Sequence, residues 1–270
     1  MAYQQPAFMF NHLGSGLAVA AITARNAGTL TDASKRAWID QRATPLGSCT
    51  ATGSNGGFTF DLGTTSAGDV INRCVIPAGH ALATRAVQVL HDSVANMGGS
   101  PLIAGFATMA AGVTDIDCTF NPTTGLRYWG FQYNLSTNGF VISMGEFWLG
   151  TRTTLGADAY VQPGFANEYE QEIAEDRFGG RTATVALSPA RRRFRLEVLN
   201  LDPSGADYAL LEQALTTGRE RPFWYWPPDT LTPGPYLVQL SEAGSRRNEN
   251  RAPQAGIRYG VTLEMVEQLT

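Results

Sequence analysis

The chain has 270 residues, 43% apolar and 16% charged, enough for a sizeable core and more than a common single domain, so two domains or one large β architecture are expected. Its 20 basic and 24 acidic residues leave a formal charge of −4, which excludes the basic excess of a sequence-independent nucleic-acid binder. Twenty-nine glycines and 14 prolines beside that apolar content exclude disorder and point to many short strands joined by turns. The apolar stretch LAVAAIT at 17–23 is short and has no basic segment before it, so neither a signal peptide nor a membrane span is expected, and the protein reads as soluble and made in a cytoplasm.

In chain order, the loops GSCTATGSNGGF (47–58), TTSAGD (64–69), ANMGGSP (95–101) and NPTTG (121–125) separate short runs rich in β-branched and aromatic residues. Those runs, VINRCVI (70–76), RAVQVLH (85–91), LRYWGFQY (126–133) and FVISMGEFWLG (140–150), read as strands of a β-sandwich, with no convincing amphipathic helix among them. EYEQEIAEDRFGGRTATVAL (168–187) alternates as one long strand or as a hairpin around Gly179-Gly180. RRRFRLEVLNL (191–201) places Phe194, Leu196 and Val198 on one face. The spacing of Leu210, Leu211, Ala214 and Leu215 predicts a helix near 205–217, with Ser204 and Asp207 as a capping arrangement and Gly218 as its stop. The aromatic run PFWYWPP (222–228), the strand PYLVQLSEAG (235–244) and a closing strand IRYGVTLEMVE (257–267) follow.

Charge is uneven along the chain. Residues 1–150 hold 7 basic and 8 acidic residues, whereas 151–270 hold 13 and 16, a step that places a domain boundary near Gly150. Nineteen of the 20 basic residues are Arg, which fits either a GC-rich genome or bidentate contacts at interfaces.

Recognisable catalytic patterns are missing: no GxSxG elbow, phosphate-binding GxxxxGK, GxGxxG or HExxH occurs, and His12, His80 and His91 are scattered singly. No enzymatic activity and no cofactor are expected. Cys49, Cys74 and Cys118 are odd in number and widely spaced, describing neither a disulfide framework nor a zinc site, and Cys74 and Cys118 read as buried, inert thiols. Asp115 and Asp117 stand two apart, so on an extended strand both carboxylates would face one side. An exposed edge or turn is the favoured reading, and a calcium ion is the alternative. Glu168, Glu170 and Glu172 would also share a face, as a solvated strand or a contact to a neighbouring subunit's arginines. Arg191, Arg192 and Arg193 are either a solvated strand end or the partners of such an acidic strand. Trp224, Tyr225 and Trp226 belong to a two-sided core strand or to an interface strand.

Two resemblances add to this reading. NRCVIPAGHALA (72–83), LRYWGFQY (126–133) and VISMGEFWLG (141–150) resemble the "rl.IPaGHNL", "ryWrl" and "igElwLG" strands of the galactose-binding-like, discoidin-type jelly roll, over residues 12–152. The resemblance makes His80 a turn residue of that motif. RRFRLEVLNL, GADYALLEQALTTG, RPFWYWPPD and YGVTLEMVE, over 170–270, are similar to bacteriophage distal-tail and minor-tail ring proteins. Pro222, Phe223, Trp224 and Asp229 match their "g..rPFwf.pD" segment, and Val261, Leu263 and Glu264 match "y.vtLelvE".

Together these imply a mainly β protein: a jelly-roll β-sandwich over 1–152, then a smaller β-rich domain with one helix over 153–270, with residues 1–12 open to joining the second. The implied role is structural, in a virion tail assembled in the host cytoplasm. A ring of identical subunits, expected as a hexamer, would link the tail tube to hub or fibre proteins. The alternative is a non-catalytic carbohydrate-binding module for attachment to a host surface glycan. No nucleic-acid or membrane partner is expected.

Overall fold

The computed structural model describes residues 4–10, 18–25, 29–39, 47–50, 55–63, 70–82, 86–95, 102–108, 115–123, 127–134, 141–156, 160–161, 166–170, 173–178, 181–186, 190–228, 234–241, 245–249 and 258–268. The chain is mainly β, and it divides into two compact units, one formed by Met1–Phe10 with Thr153–Leu269 and the other by Asn11–Arg152.

The Asn11–Arg152 unit is a jelly-roll β-sandwich. A five-stranded antiparallel sheet runs in the order Ile22–Arg25, Asn55–Asp61, Tyr128–Asn134, Ala86–Asp92, Leu102–Thr108. Two three-stranded sheets complete the unit: Trp148–Gly150, Ile71–Ile76, Ile116–Thr123, and Val141–Met144, Gly47–Thr50, Thr29–Leu30. Alternation sends Phe58, Phe60, Val89, Trp129 and Phe131 from the large sheet, and Ile71, Cys74, Ile76, Ile116, Cys118 and Leu149 from a small one, into a single core. Phe147 fills its centre, stacked on Phe60 at 5.4 Å and edge-on to Phe58 and Phe131. Burying each such ring stabilises the fold by roughly 1.5–3 kcal/mol.

A short helix, Asp32–Ala37, also belongs to this unit and is not foreseen by the sequence reading. Thr31 caps it by accepting from the Ser34 amide, and it brings Trp38 into the core, where the indole Nε1 donates to the Met144 carbonyl. The exit strand is tied back to the sandwich by Asn72, whose side chain donates to the Arg152 carbonyl and accepts from the Arg152 amide.

The second unit is built on a nine-stranded sheet. Its main path is Thr153–Thr154, Ala7–Met9, Phe223–Trp226, Tyr236–Leu240, Arg258–Glu267, Arg191–Leu201, Tyr160–Val161, with Ala166–Glu170 and Ser245–Glu249 paired beside it. Phe8 pairs with Thr153 on one side and Tyr225 on the other, so the chain's first strand lies inside the sheet made by its last third. In the long central pair, Phe194, Leu196 and Val198 lie opposite Met265, Leu263 and Val261, all buried, while Arg191 and Arg195 are exposed. Ile173–Phe178 and Arg181–Ala186 form a separate hairpin, the second of the two expected readings; its Gly179-Gly180 centre lies outside the described residues.

The helix Ala206–Thr217 lays Leu210, Leu211 and Ala214 on the sheet. Its capping differs from the expected arrangement. Gly205 is the N-cap, and Ser204 instead donates from its amide and hydroxyl to Asp202. Asp207 accepts from the Gly156 amide. The Asx turn at Asp202 and the Gly156 backbone thus take the two polar residues away from the helix's own amides. Asn200, at φ 62°, occupies a bulge where Val198 and Leu201 face Val261 and Tyr259.

Candidate functional site

The face of the five-stranded sheet opposite the core carries a connected polar rung. Arg25, Gly57, Gln132 and Gln88 stand directly opposite one another on four adjacent strands. Gly57 has no side chain, so Arg25 reaches over it, and its Nε donates to Gln132 Oε1 at 3.1 Å. Gln132 Nε2 donates onward to Gln88 Oε1 at 3.2 Å. A neighbouring rung joins Thr23 and Thr59 through their hydroxyls, 2.9 Å apart, and its next member is Gly130. A side chain at position 57 would be impossible here, since a Cβ would lie 1.9 Å from the Phe131 carbonyl oxygen.

The rung fixes its groups rather than leaving them mobile. Arg25, Gln88 and Gln132 are half-buried and Thr59 is buried. Burial lowers the pKa of Arg25, and the nearby Asp92 opposes that shift. Among the described residues Arg25 spends only its Nε–H within the chain, out of five N–H donors on the guanidinium. Where this sheet face ends, Asp61 holds Arg127 through two hydrogen bonds of 2.6 and 2.8 Å, and Arg127 covers the Tyr128 ring at 4.9 Å. The Arg127 hydrogen bond, ahead of the Gly63 amide, keeps the Asp61 carboxyl below its usual pKa.

The residues singled out in the sequence are dispersed. Asp115 accepts from the Ala78 amide at 2.7 Å and holds the turn before the buried His80. His80 accepts from the Leu82 amide, so it is a turn residue. Asp117 instead meets Arg73, Nε to Oδ1 at 2.5 Å and Nη2 to Oδ2 at 2.9 Å, so the two carboxylates serve different partners. Among the described residues no group of three or more His, Cys, Asp or Glu gathers as a metal site would require.

The residues named as interface candidates sit as follows. Trp224, Tyr225 and Trp226 are 0%, 1% and 3% exposed, and Phe223–Trp226 has a strand on each side. In strand register Glu168 lies opposite Arg193 and Glu170 opposite Arg191, with Arg192 opposite Tyr169. Arg192 turns inward, its guanidinium 4.6 Å over the Tyr236 ring and bonded to that hydroxyl, while its amide donates to Glu267. Glu172 lies outside the described residues.

A cavity of about 660 Å³ opens at the start of the helix Ala206–Thr217, lined by Gly156, Asn200, Asp202, Asp207 and Arg258 among others. Arg258 and Asp202 engage each other there, and Asp207 engages the Gly156 amide. Arg258 Nη1 lies 2.9 Å from Asp202, and Ser204, more than Arg258, holds the Asp202 carboxyl below its usual pKa.

No family model matches the chain, and no curated protein matches it. Solved structures similar to it include chitosan-binding module 1 derived from a chitosanase/glucanase of Paenibacillus sp. IK-5, at 20% identity over 53% of this chain and 100% of that one, with a TM-score of 0.38. CpGH89CBM32-5 from Clostridium perfringens, in complex with GalNAc-β-1,3-galactose, aligns at 13% identity over 52% of this chain and 100% of its own, TM-score 0.38. A Streptococcus pneumoniae fucose binding module aligns at 12% identity over 53% and 98%, TM-score 0.35. Among the described residues no helix is long and apolar enough to cross a membrane.

Proposed function

We propose that the chain is a non-catalytic glycan-binding protein, in which the jelly-roll unit receives sugar hydroxyls on the Arg25–Gln132–Gln88 rung. The rung itself carries this reading. A sugar hydroxyl both donates and accepts, and a row of side-chain amides offers both functions at fixed positions, while a guanidinium fork can span two neighbouring hydroxyls. The groups are already ordered by their own hydrogen bonds, so little entropy is lost on binding.

A glycan array probed with the full chain, followed by calorimetry on each hit, tests the reading. Arg25→Ala and Gln132→Ala are each expected to weaken binding about tenfold, the loss of roughly one charged or neutral hydrogen bond. An array without hits, or hits that both variants bind unchanged, overturns it.

A second reading concerns the other unit, and the placement of Ala7–Met9 favours it. Because the first strand lies in the sheet formed by the last third, the jelly roll is an insertion carried on a β scaffold. We infer that this scaffold is a bacteriophage tail-tip component of the distal-tail type, assembling as a hexameric ring between the tail tube and hub or fibre proteins, with the inserted jelly roll serving attachment to the host surface. Light scattering on the purified chain is the test: a mass six times that of one chain supports it, and a monomer at every concentration overturns it.

A further inference from the structure

Cys74 and Cys118 stand directly opposite each other on the antiparallel strands Ile71–Ile76 and Ile116–Thr123, so both side chains emerge on the same face, into the core of the sandwich. Cβ atoms so placed are about 4.5–5.5 Å apart, close to the span of a disulfide, and small adjustments of twist bring them within it. Both residues are free thiols, 0% and 4% exposed. Cys49, the third cysteine, is on a different sheet.

We propose that Cys74 and Cys118 are a redox pair that closes into a cross-strand disulfide when the protein meets an oxidising low-molecular-weight disulfide. The inference is independent of what either unit binds. In the closing reaction the Cys118 thiol, the less buried of the two, loses its proton and attacks oxidised glutathione, forming a mixed disulfide and releasing one glutathione. The Cys74 thiol then loses its proton and attacks the Cys118 sulfur of the mixed disulfide, releasing the second. Two protein thiols are oxidised, one glutathione disulfide is reduced to two thiols, and the two protons end on the released glutathiones.

The bond would do more than join neighbours. The segment it closes, 75–117, contains the strands Ala86–Asp92 and Leu102–Thr108, which belong to the opposite sheet. One bridge in the small sheet therefore restrains both layers of the sandwich. Burial pushes the Cys118 thiol up to about 11 and the Cys74 thiol well above its usual value, so in the folded chain the exchange is slow at neutral pH. The reduced form thus persists through brief exposure, and refolding in an oxidising buffer gives a faster route to the same bond.

The test uses the full chain in two arms: native protein held in oxidised glutathione at pH 8.5, and unfolded protein refolded in a mixture of reduced and oxidised glutathione. The expected product in at least one arm is a mass lower by two hydrogens, a linked peptide pair containing Cys74 and Cys118, and a thermal midpoint raised by on the order of 10 °C. Cys49→Ala keeps all three signatures and Cys118→Ala abolishes them. An unchanged mass in both arms, or a linkage that runs through Cys49, overturns the proposal.

Discussion

Asp117 places both carboxylate oxygens on the guanidinium of Arg73, which is further held by the Thr119 hydroxyl. The pair lies on the face of the sheet Trp148–Gly150, Ile71–Ile76, Ile116–Thr123 turned away from the sandwich core, and its side chains are 9% and 19% exposed. A charge this enclosed is costly without its partner. Asp117→Ala should therefore lower unfolding free energy by about 3 kcal/mol, well beyond the value of an exposed pair. Urea unfolding of the two proteins measures it, and a loss under about 0.5 kcal/mol would class the pair with surface ion pairs.

His91 gives the protein an acid-dependent weakness. Its ring lies 5.1 Å from that of Trp129 and is 7% exposed, and among the described residues its Nδ1 has no hydrogen-bond partner. Burial pushes its pKa below the usual histidine value, against a smaller opposing pull from Asp92. With the folded value depressed, the unfolded chain takes up the proton first. Stability is full above about pH 6.5 and falls as the pH drops from there towards the lower folded value. Thermal melts across that range should show the decline, and His91→Gln should flatten it.

Gly57 is required by geometry. A Cβ there would sit inside van der Waals contact of the Phe131 carbonyl and within 3.1 Å of the Gln132 Cα, both backbone atoms of the adjacent strand. Gly57→Ala should destabilise the chain by at least about 2 kcal/mol, by overpacking, and weaken any ligand of the polar rung through a displaced Gln132. Denaturation and binding assays read the two effects together, and a variant of unchanged stability would show that the strands part without cost.

The jelly roll should be removable. Phe8 pairs with Thr153 and Ala7 with Thr154, so the ends left by deleting 11–152 are close in space. A short Gly-Ser linker across the gap should leave a chain that melts cooperatively and keeps β-rich circular dichroism. A deleted chain with no cooperative transition would show that the nine-stranded sheet depends on its insertion.

Legibility in the sequence follows the range of the interactions. The strands over 191–201 and 258–267 are readable because one face is buried, and Phe194, Leu196, Val261 and Leu263 announce it by strict alternation. The helix Ala206–Thr217 is readable from Leu210, Leu211 and Ala214, but not its cap, because Asp202 and Gly156 compete for Ser204 and Asp207. The helix Asp32–Ala37 buries only Ser34 and Ala37 and so leaves no apolar stripe to read. The polar rung and the facing cysteines are invisible for a different reason. Arg25, Gln88 and Gln132, like Cys74 and Cys118, become neighbours only through strand register, which no local pattern encodes. The aromatic run from Phe223 points equally to core and interface, and its pairing with Ala7–Met9 is likewise a matter of register over a long sequence separation.

That first strand also sets a timetable for biosynthesis. Phe8 leaves the ribosome before the jelly roll does, and Thr153 and Tyr225, its two neighbours, are made only after it. The nascent chain therefore carries an unsatisfied apolar strand throughout synthesis of the jelly roll, which has all of its own strands and can fold in the meantime. Any product that terminates before Trp226 keeps that strand exposed, and becomes a substrate for chaperones and proteases while its sandwich is already formed.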